Sequence, residues 1–408
     1  MSDRRRLRII SACAALCVAL GAGAVSAQKF AGLAATPPLG WNSWNHFGCN
    51  VSEETLKSAA DQIVSNGMKA AGYQYVVVDD CWQGSRDKDG NIGADPKRFP
   101  NGMKAVADYV HSKGLKFGIY SDAGWKTCGG RPASRGYEFQ DALTYARWGV
   151  DYLKYDWCNT EGLNAEGAYQ TMRDALFAAK RPIVFSVCEW GTAKPWLWGK
   201  DVGHLWRTAG DVHDCFDCVV DHGTWKSWGV LQILDMQEGL RAHAGPDHWN
   251  DPDMLEVGNG MSTAEDRAHF SLWAMLAAPL IAGNDLSRMR PATREILTNS
   301  EVIAVDQDRL GVQGFRAYKL GNVDVWAKAL SAGGVAVTFL NRGTTTASMR
   351  YNWGTHRIED LASKTDFDFA KKTYQVRNLW THRALGSTKT DLLLNIGAHD
   401  VVMLKLNP

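Results

Sequence analysis

The chain has 408 residues, 45% hydrophobic and 22% charged, a balance that supports a sizeable buried core and excludes a disordered or collagen-like polymer. Forty-five Lys and Arg against forty-four Asp and Glu leave a net charge of +1, with no basic run beyond the first residues, which argues against nucleic acid or an anionic membrane as partner. The 17 Trp instead gather beside carboxylates and glycines, as in GWNSW, DDCW, YDWC and CEWG, where flat apolar faces next to hydrogen-bonding groups suit the face and rim of a sugar ring.

In chain order, the positive MSDRRRLR, the apolar small-residue run IISACAALCVALGAGAV and the site Val25-Ser26-Ala27 read as a signal peptide over residues 1–27. The run is short for a spanning helix, so the mature protein is expected to be secreted or periplasmic, with no membrane span. Loss of Cys13 and Cys17 leaves seven of the nine cysteines. In an oxidising compartment that predicts disulfides and at least one spare thiol.

From Leu39 to about Asp285 eight β-like runs alternate with helix-like segments: LGWNSW, YVVVDD, LKFGIYSD, VDYLKYD, IVFSVCEW, HLWRTAGD, HWNDPDM and PLIAGND. Between the first two, SEETLKSAADQIVSNGM opens on a Ser52-x-x-Thr55 cap region and closes near Gly67. Such alternation predicts a (β/α)8 TIM barrel over residues 28–311, with its chemistry at the C-terminal strand ends, where acids stand in nearly every run. After Gly311 the texture changes to VDVWAKAL, GVAVTFLN, ASMRYNW, YQVRNLW, DLLLNIG and DVVMLKLNP, with no long helix, which predicts a C-terminal antiparallel β-sandwich domain over 312–408.

Within VDYLKYDWCN, Lys154 and Asp156 are two apart on a strand and so point to the same side, toward the barrel axis or mouth. A lysine beside a carboxylate is expected to lower its pKa and keep it ionised, and an ionised, positioned Asp can attack an anomeric carbon. A second acid must then protonate the leaving oxygen. Asp79, Asp80, Asp122, Glu189, Asp211, Asp251 and Asp253 are all candidates, and spacing alone does not choose among them.

PPLGWNSWNHFGC, VVVDDCW, LKFGIYSDAG, YLKYDWCN, CEWG, WRTAGD and WNDPDML occur in one order, and with them the chain from Thr36 to its end resembles the α-galactosidases of glycoside hydrolase family 27. The resemblance implies a barrel followed by a β-sandwich, and hydrolysis of terminal α-linked galactose with retention at the anomeric carbon. It places the nucleophile on Asp156 and the acid/base on Asp211, with the two carboxyl groups expected about 5–5.5 Å apart and Asp211 holding its proton to higher pH. By the same resemblance Asp79 and Asp80 hold the 4- and 6-hydroxyls, which requires the strand to be breaking into loop there. Lys154 donates to ring hydroxyls, Trp41 supplies a flat wall and Met254 lines the pocket, while Asp251 and Asp253 read as scaffold acids.

Cys188, Glu189 and Arg207 match the 2-hydroxyl side. The resemblance makes smaller residues there a mark of relatives that accept N-acetylgalactosamine, so Cys188-Glu189-Trp190 favours plain galactose. It also implies Cys49–Cys81 and Cys128–Cys158 disulfides, with Cys188 unpaired. Cys215 and Cys218 fall outside this pattern: HDCFDCVVDH also carries His213 and His222, so a zinc site stands as the alternative to the local disulfide favoured by export and close spacing. Trp157 departs from the Asn or Gly of many relatives, either to stack on a second sugar or to pack under its loop. No phosphate-cradling glycine loop is present and the mechanism needs no cofactor, and no metal is assigned to the site. The expected partners are α-galactoside oligosaccharides or polysaccharide side chains. The competing readings are a β-L-arabinopyranosidase, which the Asp79-Asp80 pair argues against, an α-N-acetylgalactosaminidase, and a galactose-binding protein without catalysis.

Overall fold

The computed structural model describes residues 29–408. The expected signal peptide, residues 1–27, lies outside them, and among the described residues no helix is long and apolar enough to cross a membrane.

Eight strands form one parallel sheet: β1 (Leu39–Asn42), β2 (Tyr75–Val77), β3 (Lys116–Asp122), β4 (Tyr152–Asp156), β5 (Val184–Val187), β6 (Leu205–Arg207), β7 (Trp249–Asp251) and β8 (Leu280–Ala282). Their order is β7-β6-β5-β4-β3-β2-β1-β8. The ring closes just past β7, where Leu255 bridges to Ala282 in parallel and its N–H donates to the Ile281 carbonyl at 2.8 Å.

Period-two alternation sorts the strand residues. Tyr75, Val77, Tyr152, Val184, Leu205 and Trp249 form a small apolar cluster inside the barrel, whereas Val76, Leu153, Tyr155, Phe185 and Trp206 join the larger core shared with the helices. Space inside is short. A Cβ on Gly40 would stand 2.6 Å from the Tyr75 carbonyl oxygen, and one on Gly118 2.7 Å from Val77 Cγ2, so only glycine fits at either place.

Helix α1 (Glu53–Ser65) carries the predicted cap: Ser52 Oγ accepts from the Thr55 N–H and Thr55 Oγ1 from the Ser52 N–H, both at 3.3 Å. Between β5 and β6 the helical layer shrinks to two 3-10 turns, Pro195–Leu197 and Gly199–Asp201.

The C-terminal part is a six-stranded antiparallel sheet of β9 (Phe315–Leu320), β10 (Val323–Ala329), β11 (Val335–Asn341), β12 (Gln375–Asn378), β13 (Arg383–Ser387) and β14 (Val401–Asn407), ordered β9-β10-β11-β14-β12-β13. Two short strand pairs cover one face over Val325, Phe339, Tyr351, Trp353 and Phe367. The first strand, FRAYKL, was not among the expected runs; its residues are half-buried or exposed, and its antiparallel pairing with β10 makes it a strand. On the barrel side, Lys328 of β10 is fully buried. Its ammonium donates to Val305 O at 2.6 Å and Ala274 O at 3.2 Å, carbonyls near two helix C-termini, where a cation is favoured.

Candidate active site

The apolar layer inside the barrel gives way to polar residues at the strand ends and just past them. Tyr152 is followed by Lys154 and Asp156, Val77 by Asp79, Leu205 by Arg207, and Trp249 by Asp251 and Asp253. These side chains meet at the C-terminal strand ends below a cleft of about 910 Å³, whose walls include Asp79, Asp80, Tyr120, Lys154, Asp156, Arg207, Asp211, Asp253 and Met254.

Asp156 ends β4 with only 6% of its surface exposed, opposite Asp122 in the β3–β4 register. Tyr120 donates its hydroxyl to Asp156 Oδ2 at 2.9 Å, and the Trp157 N–H reaches Oδ1 at 3.0 Å. Burial pushes the Asp156 carboxyl up to about 6, against the opposing pull of Lys154, with the charges of Asp211 and Asp79 adding to the rise. The expectation from Lys154 alone was the reverse. Its ammonium is committed elsewhere, to Asp79 Oδ2 at 2.9 Å, so its attraction for Asp156 does not offset the loss of water.

Asp79 and Asp80 lie just beyond β2, where the backbone has left strand geometry for a turn and Cys81 takes φ of 74°. Strand alternation no longer applies, so both carboxylates reach the cleft wall. Asp79 Oδ2 also accepts from Asn42 Nδ2 at 2.7 Å, and Asp80 Oδ2 from the Gly129 N–H at 2.6 Å. Burial, more than any neighbour, raises the Asp80 pKa.

Asp211 follows β6 in a loop and is the more open of the two principal acids, with 40% of its side chain exposed. Arg207 Nη2 lies 3.1 Å from Asp211 Oδ1 and 2.9 Å from Asp253 Oδ2. One buried guanidinium therefore serves two carboxylates and stays compensated by Asp253 whatever Asp211's protonation state. Asp253 has φ of 93°, outside the usual range for a side chain of this kind, and is held by the Val212 N–H at 2.8 Å and by the strong Arg207 pair.

Disulfides tie the loops around these acids. Cys49 joins Cys81 across the β1 and β2 loops, and Cys128 joins Cys158 across the β3 and β4 loops, with Cys128 and Cys158 both on the cleft wall. Cys215 and Cys218 are joined to each other, which removes both thiolates from any zinc site; His213 and His222 face Asp214 and Ser227. Among the described residues the one grouping with metal-ligand spacing is Asp122, Cys128 and Cys158, and its two sulfurs are spent in a disulfide.

Several sequence expectations change in three dimensions. Trp41 is not a wall of the cleft: it is 1% exposed, faces the helix layer, and gives its indole N–H to Asn284 O at 2.8 Å. The wall is Trp44, in the turn Trp44–Phe47 after β1, with its N–H fixed by Asn42 Oδ1 at 2.8 Å. The physical reason is alternation: Asn42 points inward to Asp79, so Trp41 must point out. Glu189 also turns away. It is fully buried, and its Oε2 accepts from Thr192 Oγ1 at 2.8 Å and the Ala193 N–H at 2.5 Å, bracing the loop while Trp190 and Thr192 line the cleft.

Cys188 is unpaired and buried beneath the cleft, with its sulfur 3.7 Å from Arg207 Nη1, and is not part of the wall. Trp157 packs under its loop, stacked on Tyr169 at 5.6 Å and 25°. Asp253, read as scaffold, lines the cleft; its spacing of two from Asp251 and its place beside Met254 were the available signals. Asp251 stays behind it, accepting from the Asp253 N–H at 2.9 Å. Tyr120, two residues before Asp122 on the same inward face, was missed as a partner of Asp156.

Residues 36–308 match the family described as Alpha galactosidase A, and residues 320–406 the Alpha galactosidase C-terminal beta sandwich domain. The chain is 57% identical over 383 residues to alpha-galactosidase A of Cellvibrio japonicus (strain Ueda107), covering 94% of this chain and 95% of that one. It superimposes on alpha-galactosidase I from Mortierella vinacea with a TM-score of 0.85 at 38% identity, covering 92% and 98% of the two chains. An alpha-galactosidase from Saccharomyces cerevisiae with raffinose gives 0.86 at 30% identity over 94% and 99%. Matched across both its barrel and its C-terminal sheet, this chain belongs to the α-galactosidase family, glycoside hydrolase family 27.

Proposed function

We propose that the protein is an exported, retaining exo-glycosidase that removes terminal α-D-galactosyl residues from oligosaccharides or polysaccharide side chains. The observation that carries this reading is the pairing of acids in one cleft: a buried, hydrogen-bonded Asp156 that feels the charge of a more open Asp211.

Asp156 attacks the anomeric carbon from its β face as Asp211 gives its proton to the glycosidic oxygen, so the C–O bond breaks and the aglycone leaves as an alcohol. The galactosyl–Asp156 ester is then opened by water, which yields a proton to the Asp211 carboxylate and leaves α-galactose. Arg207, pinned by Asp253, supports both states of Asp211. Asp79 and Asp80 accept from the 4- and 6-hydroxyls. These carboxylates favour galactose over a pentopyranose, because a sugar without C6 leaves buried acceptor capacity unmet. The expected organisation accompanies this reading: a signal peptide ending at residue 27, a barrel to 311 and the β-sandwich from 312.

The test is an NMR time course on an α-galactoside, with a β-L-arabinopyranoside in parallel. α-Galactose should appear first, ahead of its mutarotated form. Release of the β anomer first, or faster turnover of the arabinoside, overturns the reading.

A further inference from the structure

The segment HDCFDCVVDH and the residues after it are not used by the chemistry above, yet they build one wall of the cleft. Val219–Asp221 pairs with Lys226–Trp228 as a two-stranded hairpin, with Cys215–Cys218 at its base. The hairpin is fastened to the loop that carries Asp211. Trp228 donates its N–H to the Asp211 carbonyl at 2.9 Å, and the His213 N–H donates back to the Trp228 carbonyl at 2.9 Å.

At the tip, Trp225 stands against His222 with ring centres 3.9 Å apart and planes 15° from parallel. The His222 N–H donates to the Trp225 carbonyl at 2.9 Å, and His222 Nε2 lies 2.9 Å from Ser227 Oγ. The imidazole is thus fixed on one side of the indole. Trp225 nevertheless remains 51% exposed and lines the cleft, a large apolar ring held in place with a face left open.

We propose that Trp225, backed by His222, is a stacking platform for the sugar unit that leaves, making this hairpin the aglycone-binding site of the enzyme. The inference rests on the functional reading above, in which Asp211 protonates the glycosidic oxygen. The group bonded to that oxygen must then lie on Asp211's side of the cleft, and the hairpin registered on Asp211 is the structure found there. A cleft of about 910 Å³ is at the upper end of ligand pockets and holds more than one hexose. An open indole face complements the apolar C–H face of a pyranose, while the strand-end acids are used by the galactosyl group.

The test compares α-galactosyl fluoride, whose leaving group has no ring, with α-1,6-galactosyl disaccharides and trisaccharides, for wild type, Trp225→Ala, Trp225→Phe and His222→Ala. Trp225→Ala should lower kcat/KM on the oligosaccharides about tenfold more than on the fluoride, mainly through KM, as expected for loss of one ring-stacking contact. Trp225→Phe should restore most of it, and His222→Ala should fall between. Equal losses on fluoride and oligosaccharides would mean the ring merely props the Asp211 loop, and no loss on either would mean sugars do not touch it; both overturn the proposal. Failure of wild type on the fluoride itself would instead remove the functional reading beneath it.

Discussion

Tyr120→Phe isolates one contact of Asp156, the proposed nucleophile. The substitution keeps the ring and removes a single hydroxyl, the donor 2.9 Å from Asp156 Oδ2. That hydroxyl remains protonated throughout the working range, because burial and then the charge of Asp156 hold its pKa well above 10. A hydrogen bond to a charged acceptor contributes about 1.5–3 kcal/mol, and each ~1.4 kcal/mol is tenfold in proton affinity. Asp156, already raised to about 6, should therefore move to about 7–8. Since attack requires the ionised form, activity is lost as pH falls through this value. The acid limb of kcat/KM should shift up accordingly, making the variant about 5- to 50-fold slower than wild type at pH 6 and less than about twofold slower at pH 9.

Stability follows the same sign. A carboxyl with a raised folded pKa stabilises the fold fully below its unfolded value of about 4 and loses that contribution as pH rises through the folded value. Wild type and variant should thus differ most in melting temperature above pH 6 and least near pH 4. The measurement is a kcat/KM profile on α-galactosyl fluoride from pH 4 to 9. A limb that stays at about 6 while activity drops equally at every pH would refute the reasoning and make Tyr120 a contact of the sugar.

Asp211→Ala should slow alkyl galactosides, which need a proton on the leaving oxygen, at least about 100-fold more than galactosyl fluoride, with steady-state kinetics on both as the check. Trp41→Ala and Trp44→Ala should part company: the first removes a core indole and should cost about 3–5 kcal/mol in denaturant unfolding. Trp44→Ala should leave unfolding within about 1 kcal/mol of wild type while raising KM for galactosides.

The features legible along the chain are those whose physics is local. The Ser52–Thr55 cap depends on atoms three residues apart, and the common direction of Lys154 and Asp156 depends only on strand alternation, so both were legible before any fold was known. Trp41 shows the limit of such reading. Alternation requires it to face opposite to Asn42, but which of the two faces is the barrel interior depends on the ring of strands that brings Asn42 against Asp79.

Glu189 and Asp253 exchanged expectations for a related reason. Each is an acid near a strand end, and only the path of its own loop turns one carboxylate into a brace for Ala193 and aims the other at Arg207. The pKa of Asp156 lies furthest from the sequence. Lys154 two residues away predicts a fall, whereas the rise is caused by burial beneath loops from other strands and by the charge of Asp211, from a different strand end. The sequence by itself determined which side chains share a strand face and that acids gather where the strands give way to loops. Tertiary closure decided which of those faces enclose the cleft, because desolvation and charge pairing act through space between segments whose separation along the chain carries no information about their distance.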